Sequence, residues 1–226
     1  MPEEFPSIEA QIEDNEQQRT PCVLVLDCSD SMRSDGRIDQ LNDGLAEFER
    51  ALKADNRTRD RVQVLVIRVG GTVDIVQDWT DAEYFSAPHL SANGSTPLGA
   101  GMRVAMQKIR EIKQLLISKS VSYTRPWVFL ITDGEPNDAG WEEAAAETRR
   151  DIAGDHLKLW PLAVAGANTA KMKEFQDPSD YVYALKGANY HEFFEFLNNS
   201  LRVAAGGPEG SKAQISLPAE TITIVR

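Results

Sequence analysis

Four short runs of β-branched and other apolar residues constrain this chain more than any other feature. They are 22–26 (Cys-Val-Leu-Val-Leu), 62–69 (Val-Gln-Val-Leu-Val-Ile-Arg-Val), 127–132 (Trp-Val-Phe-Leu-Ile-Thr) and 157–165 (Leu-Lys-Leu-Trp-Pro-Leu-Ala-Val-Ala). Three are nearly unbroken apolar, as in parallel strands covered on both faces; a sheet with one wet side would alternate. Between the runs lie helical patterns. Ile38, Leu41, Leu45, Phe48 and Leu52 recur at spacings of 3 and 4, as do Leu98, Met102, Ala105, Ile109, Ile112 and Leu116, one apolar stripe per helix. Further helices are predicted over 140–152 and 190–203. Covered strands alternating with amphipathic helices predict an α/β fold, a doubly wound, mostly parallel central sheet with helices on both faces. Gly70-Gly71, between two β-like runs, predicts a hairpin into an antiparallel edge strand at 72–76.

The 226 residues suffice for a core without staples. Residues 1–19, with the acidic run Glu9 to Glu16, read as a solvated arm, and 20–204 as one domain. Residues 205–226 hold a Gly206–Ser211 linker and a tail whose Thr221, Ile222, Thr223, Ile224 alternation suits an added strand or binding elsewhere. Apolar stretches break within about ten residues, short of the roughly 20 that span a bilayer, and the acidic N-terminus has no signal-peptide pattern. Cys22 and Cys28, six positions apart on one strand, sit roughly 20 Å from each other at about 3.3 Å per residue, beyond disulfide reach. These features predict a cytoplasmic protein. A net charge of −11 disfavours nucleic acid and anionic membranes as partners and leaves cations and proteins.

The candidate chemistry lies where the first strand runs into Asp27-Cys28-Ser29-Asp30-Ser31. Ligands of open α/β sheets bind at the carboxyl ends of the strands. Two more loops are expected on that edge: Asn93-Gly94-Ser95-Thr96-Pro97-Leu98-Gly99, and Thr132-Asp133-Gly134-Glu135-Pro136. Hydroxyls and carboxylates alone suit a hard divalent cation, magnesium first, with manganese or calcium as substitutes; zinc calls for Cys or His spacings that His89, His156 and His191 do not provide. Asp27 and Asp133 would neutralise such an ion. With only neutral hydroxyls from Ser29, Ser31 and Thr96 beside them, it would remain electrophilic toward an outside carboxylate.

Three competing readings are weaker. Asp-x-Ser-x-Ser alone also suits a helix entry whose side chains cap backbone N–H groups, but Thr96 and Asp133 add weight to the metal. Gly94–Gly99 has phosphate-loop spacing but is followed by Ala100-Gly101 in place of Lys-Ser/Thr. A magnesium-dependent phosphoryl hydrolase using Asp27 as nucleophile is the enzyme alternative, although such enzymes carry a second Asp two positions on, where this chain has Ser29. No catalytic constellation is supported, so the expectation is a non-enzyme.

The three elements in order resemble the metal-ion-dependent adhesion site of von Willebrand factor A domains, with the match covering about residues 20–204. More closely, Leu26–Met32, Gly94–Gly99 and Thr132–Pro136 look like the bacterial TerY-like proteins of the tellurium-resistance and chemical-stress group. The resemblance implies a Rossmann-like fold, with Ser29, Ser31 and Thr96 as direct or near-direct ligands and Asp27 and Asp133 often acting through water. It also implies a module whose ion captures an Asp or Glu carboxylate of a partner protein in a bacterial stress or phospho-signalling system, with phosphatase- or kinase-like partners. One departure is Asp30, where the family most often has Gly; Asp tolerates the left-handed conformation, and its charge beside the ion would tighten cation binding or repel an acidic partner.

Overall fold

The computed structural model describes residues 5–133, 135–164, 166–186, 189–207 and 222–225. Its seven strands form one sheet in the order β3-β2-β1-β4-β5-β6-β7. The four runs become β1 (Thr20–Asp27), β2 (Val62–Gly70), β4 (Trp127–Thr132) and β5 (Lys158–Ala163), joined by β6 (Val182–Leu185), all paired in parallel. Two antiparallel strands close the edges: β3 (Thr72–Asp81) against β2, and β7 (Ile222–Val225) against β6. The predicted hairpin therefore exists, with a longer edge strand than 72–76, and the tail alternation reaches the sheet as β7. Most of the predicted linker lies outside the described residues.

Side chains of a covered strand alternate between two cores. In β1, Cys22, Leu24 and Leu26 face Leu41, Leu45 and Phe48 of α2 (Arg37–Ala54) and Phe193, Phe194 and Leu197 of α7 (Tyr190–Gly206). Val23 and Val25 face Met102, Ala105 and Ile109 of α4 (Leu98–Ser118) and Ala144 and Ala145 of α5 (Trp141–Ala153). Burying the large side chains Leu41, Leu45, Phe48 and Leu52 of α2 and Met102, Ile109, Ile112 and Leu116 of α4, at roughly 1.5–3 kcal/mol each before entropy is subtracted, holds both layers to the sheet. Short helices α3 (Asn56–Arg61) and α6 (Thr169–Lys173) complete the framework. No helix among the described residues is long and apolar enough to cross a membrane.

The solvated arm expected over residues 1–19 is corrected in part. Ile8–Asp14 form α1, whose acidic residues face solvent while Ile12 is fully buried and Gln11 nearly so. The Gln11 Oε1 accepts the Asp81 N–H at 2.7 Å, and the buried Arg19 guanidinium pairs with the Asp81 carboxylate at 3.2 Å. A helix of 7 residues carries too little periodicity to be read locally; its docking depends on edge strand β3.

The strand order reverses at β1, because α2 leads to β2 on one side of it and α4 leads to β4 on the other. A crevice opens outside the carboxyl ends of β1 and β4, the switch point where open α/β sheets bind ligands.

Candidate functional site

Asp27 ends β1 inside this crevice and is fully buried. Its Oδ1 accepts the Ser29 N–H at 2.8 Å, and its Oδ2 accepts the Thr132 hydroxyl at 2.5 Å from the end of β4. Burial pushes the Asp27 carboxyl above the usual range; hydrogen bonds from Thr132 and Ser29 pull it back, and the nearby Asp133 charge adds to the rise.

Ser29 precedes a 3-10 segment, Asp30–Gly36, but its side chain makes no capping bond there. Its Oγ lies 2.8 Å from the Ser31 Oγ, and Ser31 donates to the Asp133 Oδ1 at 2.6 Å. A hydroxyl has one proton, and that of Ser31 goes to Asp133; the Ser29 hydroxyl faces both the Ser31 Oγ and the Asp27 carboxylate, and both serine oxygens keep lone pairs for another ligand. The helix-cap reading therefore fails for Ser29, while Asp27 does accept a local backbone bond as well as belonging to the site.

Thr96 is buried in the loop that enters α4. Backbone bonds tie this loop to its neighbours: Asp30 N–H to the Gly94 carbonyl at 2.9 Å, Asn93 N–H to the Cys28 carbonyl at 2.7 Å, and Gly71 N–H to the Ser95 carbonyl at 2.7 Å. Gly94 has φ +69°, and a Cβ there would stand 2.7 Å from the Gly71 Cα, so a side chain is excluded twice over. On the other side, Asn137 Oδ1 accepts the Thr96 N–H at 3.0 Å, and Asp138 accepts the N–H groups of Gly99 and Ala100 at 3.1 and 2.8 Å. Thr96 is thus held by its backbone at the crevice, between the Asp27–Ser31 loop and the loop after β4.

Asp133 is nearly buried, and its second oxygen, Oδ2, accepts from the Arg37 guanidinium at 2.6 Å. Arg37 also reaches the exposed Asp35 at 3.5 Å. Tyr190, at the start of α7, is buried with no hydrogen-bond partner for its hydroxyl among the described residues, within electrostatic reach of Asp133, Arg37, Asp27 and Cys28. Burial lifts its phenol and pushes the Cys28 thiol up to about 12, so neither ionises at neutral pH.

The structure thus joins Asp27, Ser29, Ser31 and Asp133 by short contacts, with Thr96 in the adjoining loop; Gly134 lies outside the described residues. Asp30 departs from its expectation in two ways. It needs no left-handed backbone, and its side chain, 61 % exposed, turns outward to Arg33 at 3.1 Å. The residues missed by sequence reading are Thr132, Arg37, Asn137, Asp138 and Tyr190. Asn-Asp shortly before a helix signals a cap for that helix, but α5 has Gly140 as its N-cap with no side-chain cap and the two residues bind the Thr96 loop and the start of α4 instead; nothing local marks Arg37 or Tyr190.

The donor set is carboxylate and hydroxyl oxygen, and among the described residues no group of three His, Cys, Asp or Glu side chains converges. Two largely buried carboxylates with serine oxygens that can still accept a ligand fit a hard divalent ion sharing its shell with water. Asp27 receives a backbone N–H on one oxygen and a threonine hydroxyl on the other, so each oxygen keeps a lone pair for a further ligand.

Comparison with known proteins agrees on the architecture. Residues 22–135 match the family model described as von Willebrand factor type A domain. A search of curated proteins returns no significant match. Among solved structures, the open conformation of the pilus adhesin SpaC from Lactobacillus rhamnosus GG shares 14% identity at TM-score 0.65, over 83% of this chain and 31% of that one. A von Willebrand factor type A protein from Catenulispora acidiphila shares 16% at TM-score 0.62, over 82% and 43%. Proximal thread matrix protein 1 from the mussel byssus, described with a zinc-occupied MIDAS motif, shares 13% at TM-score 0.53, over 83% and 48%. The chain thus spans less than half of each, and the likeness is one of fold.

Proposed function

The chain belongs to the von Willebrand factor type A domain family, and from that premise we propose that it is a divalent-cation-dependent protein-binding module. Its ion, magnesium by the chemistry of the donors, would be held by Asp27, Ser29, Ser31, Thr96 and Asp133 in a metal-ion-dependent adhesion site. When bound, the ion supplies an electrophilic position for an Asp or Glu carboxylate of a partner protein. The observation that carries this reading is the hydroxyl chain from Ser29 through Ser31 to Asp133 beside the buried Asp27. Helix capping leaves that chain without a purpose; cation binding uses each member of it.

The motif likeness to TerY-like proteins supports a bacterial, cytoplasmic setting in stress response or phospho-signalling, with phosphatase- or kinase-like partners. Adhesive and metal-bearing neighbours of the same fold support binding over catalysis. The proposed boundaries remain 20–204 for the module, flanked by 1–19 and 205–226.

Pulldown from the native host, with and without chelator, tests the proposal, run beside a phosphatase assay with and without magnesium. The module predicts capture that chelator and Ser29→Ala both abolish, with no turnover. Magnesium-dependent turnover lost in Asp27→Asn would establish the hydrolase instead.

A further inference from the structure

The Asp133 carboxylate is already matched on both oxygens. Ser31 donates to Oδ1 and the Arg37 guanidinium to Oδ2, both at 2.6 Å, while the Asp133 side chain is closed to solvent and that of Arg37 is 17 % exposed. Charge-assisted contacts of this length are the strong class of hydrogen bond, and a guanidinium in such a position acts as a fixed counter-charge. Among the described residues Arg37 is the cation paired with either crevice carboxylate; Arg33 turns outward to Asp30 and the Ala92 carbonyl.

We infer that Arg37 is a built-in counter-cation that a divalent ion must displace from Asp133, so that loading the site moves the guanidinium out to Asp35. The inference rests on the metal-binding reading above and concerns how that site is controlled. Two charges of the same sign cannot share one buried carboxylate cheaply: with Asp27 and Asp133 neutralising a divalent ion, the retained guanidinium would be a surplus positive charge with its donors facing a cation.

The exit is present in the fold. Arg37 opens α2 directly after two left-handed residues, Asp35 at φ +56° and Gly36 at φ +66°. Its other terminal nitrogen already lies 3.5 Å from the Asp35 carboxylate, which is 83 % exposed at the rim. The guanidinium is therefore shared between an inner and an outer carboxylate, and losing the inner one leaves it with a partner. Because the form competent to bind metal requires Arg37 to be displaced, apparent metal affinity falls below the intrinsic affinity of the oxygen cage.

Calorimetric titration of manganese or magnesium alone into wild type, Arg37→Gln and Asp35→Asn, each with a Ser29→Ala counterpart, tests this, with urea unfolding run on every metal-free protein. Arg37→Gln should bind metal at least tenfold more tightly than wild type while its metal-free form unfolds at lower urea. Asp35→Asn, an exposed change at a position whose backbone Asn tolerates, should bind metal several-fold more weakly, because the displaced guanidinium has lost its outer partner. Metal bound through Ser29 but no tighter in folded Arg37→Gln than in wild type overturns the counter-cation and leaves the metal reading standing. Should Arg37→Gln fail to fold, unchanged metal affinity in Asp35→Asn overturns it. No binding in any protein, or binding indifferent to Ser29→Ala, overturns both.

Discussion

The Thr132 hydroxyl donates to the Asp27 Oδ2 at 2.5 Å, joining the ends of two adjacent parallel strands across 105 positions of sequence. The bond lies in a buried crevice and has a carboxylate oxygen as its acceptor. Thr132→Val keeps the shape and leaves that oxygen without its donor, which should cost about 1.5–3 kcal/mol. Urea unfolding should show the loss, with Thr132→Ser recovering most of it; equal stability of Val and wild type would mean that the bond adds nothing net to the fold.

Asn137 holds Thr96 through its backbone and leaves the Thr96 hydroxyl outside that contact. Thr96→Ala should therefore weaken metal-dependent partner capture severely while costing the fold only about 1 kcal/mol, the centre of the range for single substitutions, because its backbone contacts are kept. Capture unaffected by Thr96→Ala but abolished by Ser29→Ala would reduce Thr96 to a loop residue.

Helix α4 begins at Leu98 without a side-chain cap from its own N-terminal flank, and Asp138 supplies one from the loop after β4. Its carboxylate also complements the positive end of the helix dipole. Asp138→Ala should destabilise the protein by about 1–2 kcal/mol, measured by urea unfolding, with Asp138→Asn in between.

Asp30 pairs with Arg33 in solvent, where charges are screened. Asp30→Gly should leave metal affinity within about twofold of wild type, far less than the change an inward-facing carboxylate would cause. Calorimetry decides it, and a tenfold loss would place the carboxylate near the ion.

Arg19 is fully buried, pairs with Asp81 and donates to the carbonyls of Gln11, Asn15 and Asp60. Arg19→Met strands the Asp81 carboxylate and should cost about 3–5 kcal/mol at neutral pH. Burial already holds the Asp81 carboxyl above its usual range, with Arg19 pulling it down. Without Arg19 the folded-state value rises further above the unfolded value of about 3.9. The folded variant then binds a proton that the unfolded chain releases, so its deficit against wild type should shrink as pH falls from 7 toward 4. A deficit constant over that range would mean that Asp81 does not carry the effect.

Much of the fold is legible because burial leaves a local trace. The strand runs 22–26 and 127–132 declare burial on both faces by being unbroken apolar, and the stripes from Ile38 to Leu52 and from Leu98 to Leu116 declare one buried face by their period. Strand β6, with 4 residues, and helix α1, with 7, are too short to show a period, and they formed only where the sheet edges gave them a surface. The same division runs through the site. Asp27, Ser29, Ser31, Thr96 and Asp133 could be singled out because residue type and order at strand ends are local facts. The pairing of Arg37 with Asp133 and the burial of Tyr190 are not: they depend on which groups meet in a crevice whose Ser31–Asp133 and Arg37–Asp133 contacts join segments about a hundred residues apart. Residue type and spacing determined the framework and the candidate donors. Tertiary structure decided their partners, since a charge cut off from water must be matched by whatever the fold brings within a few ångströms.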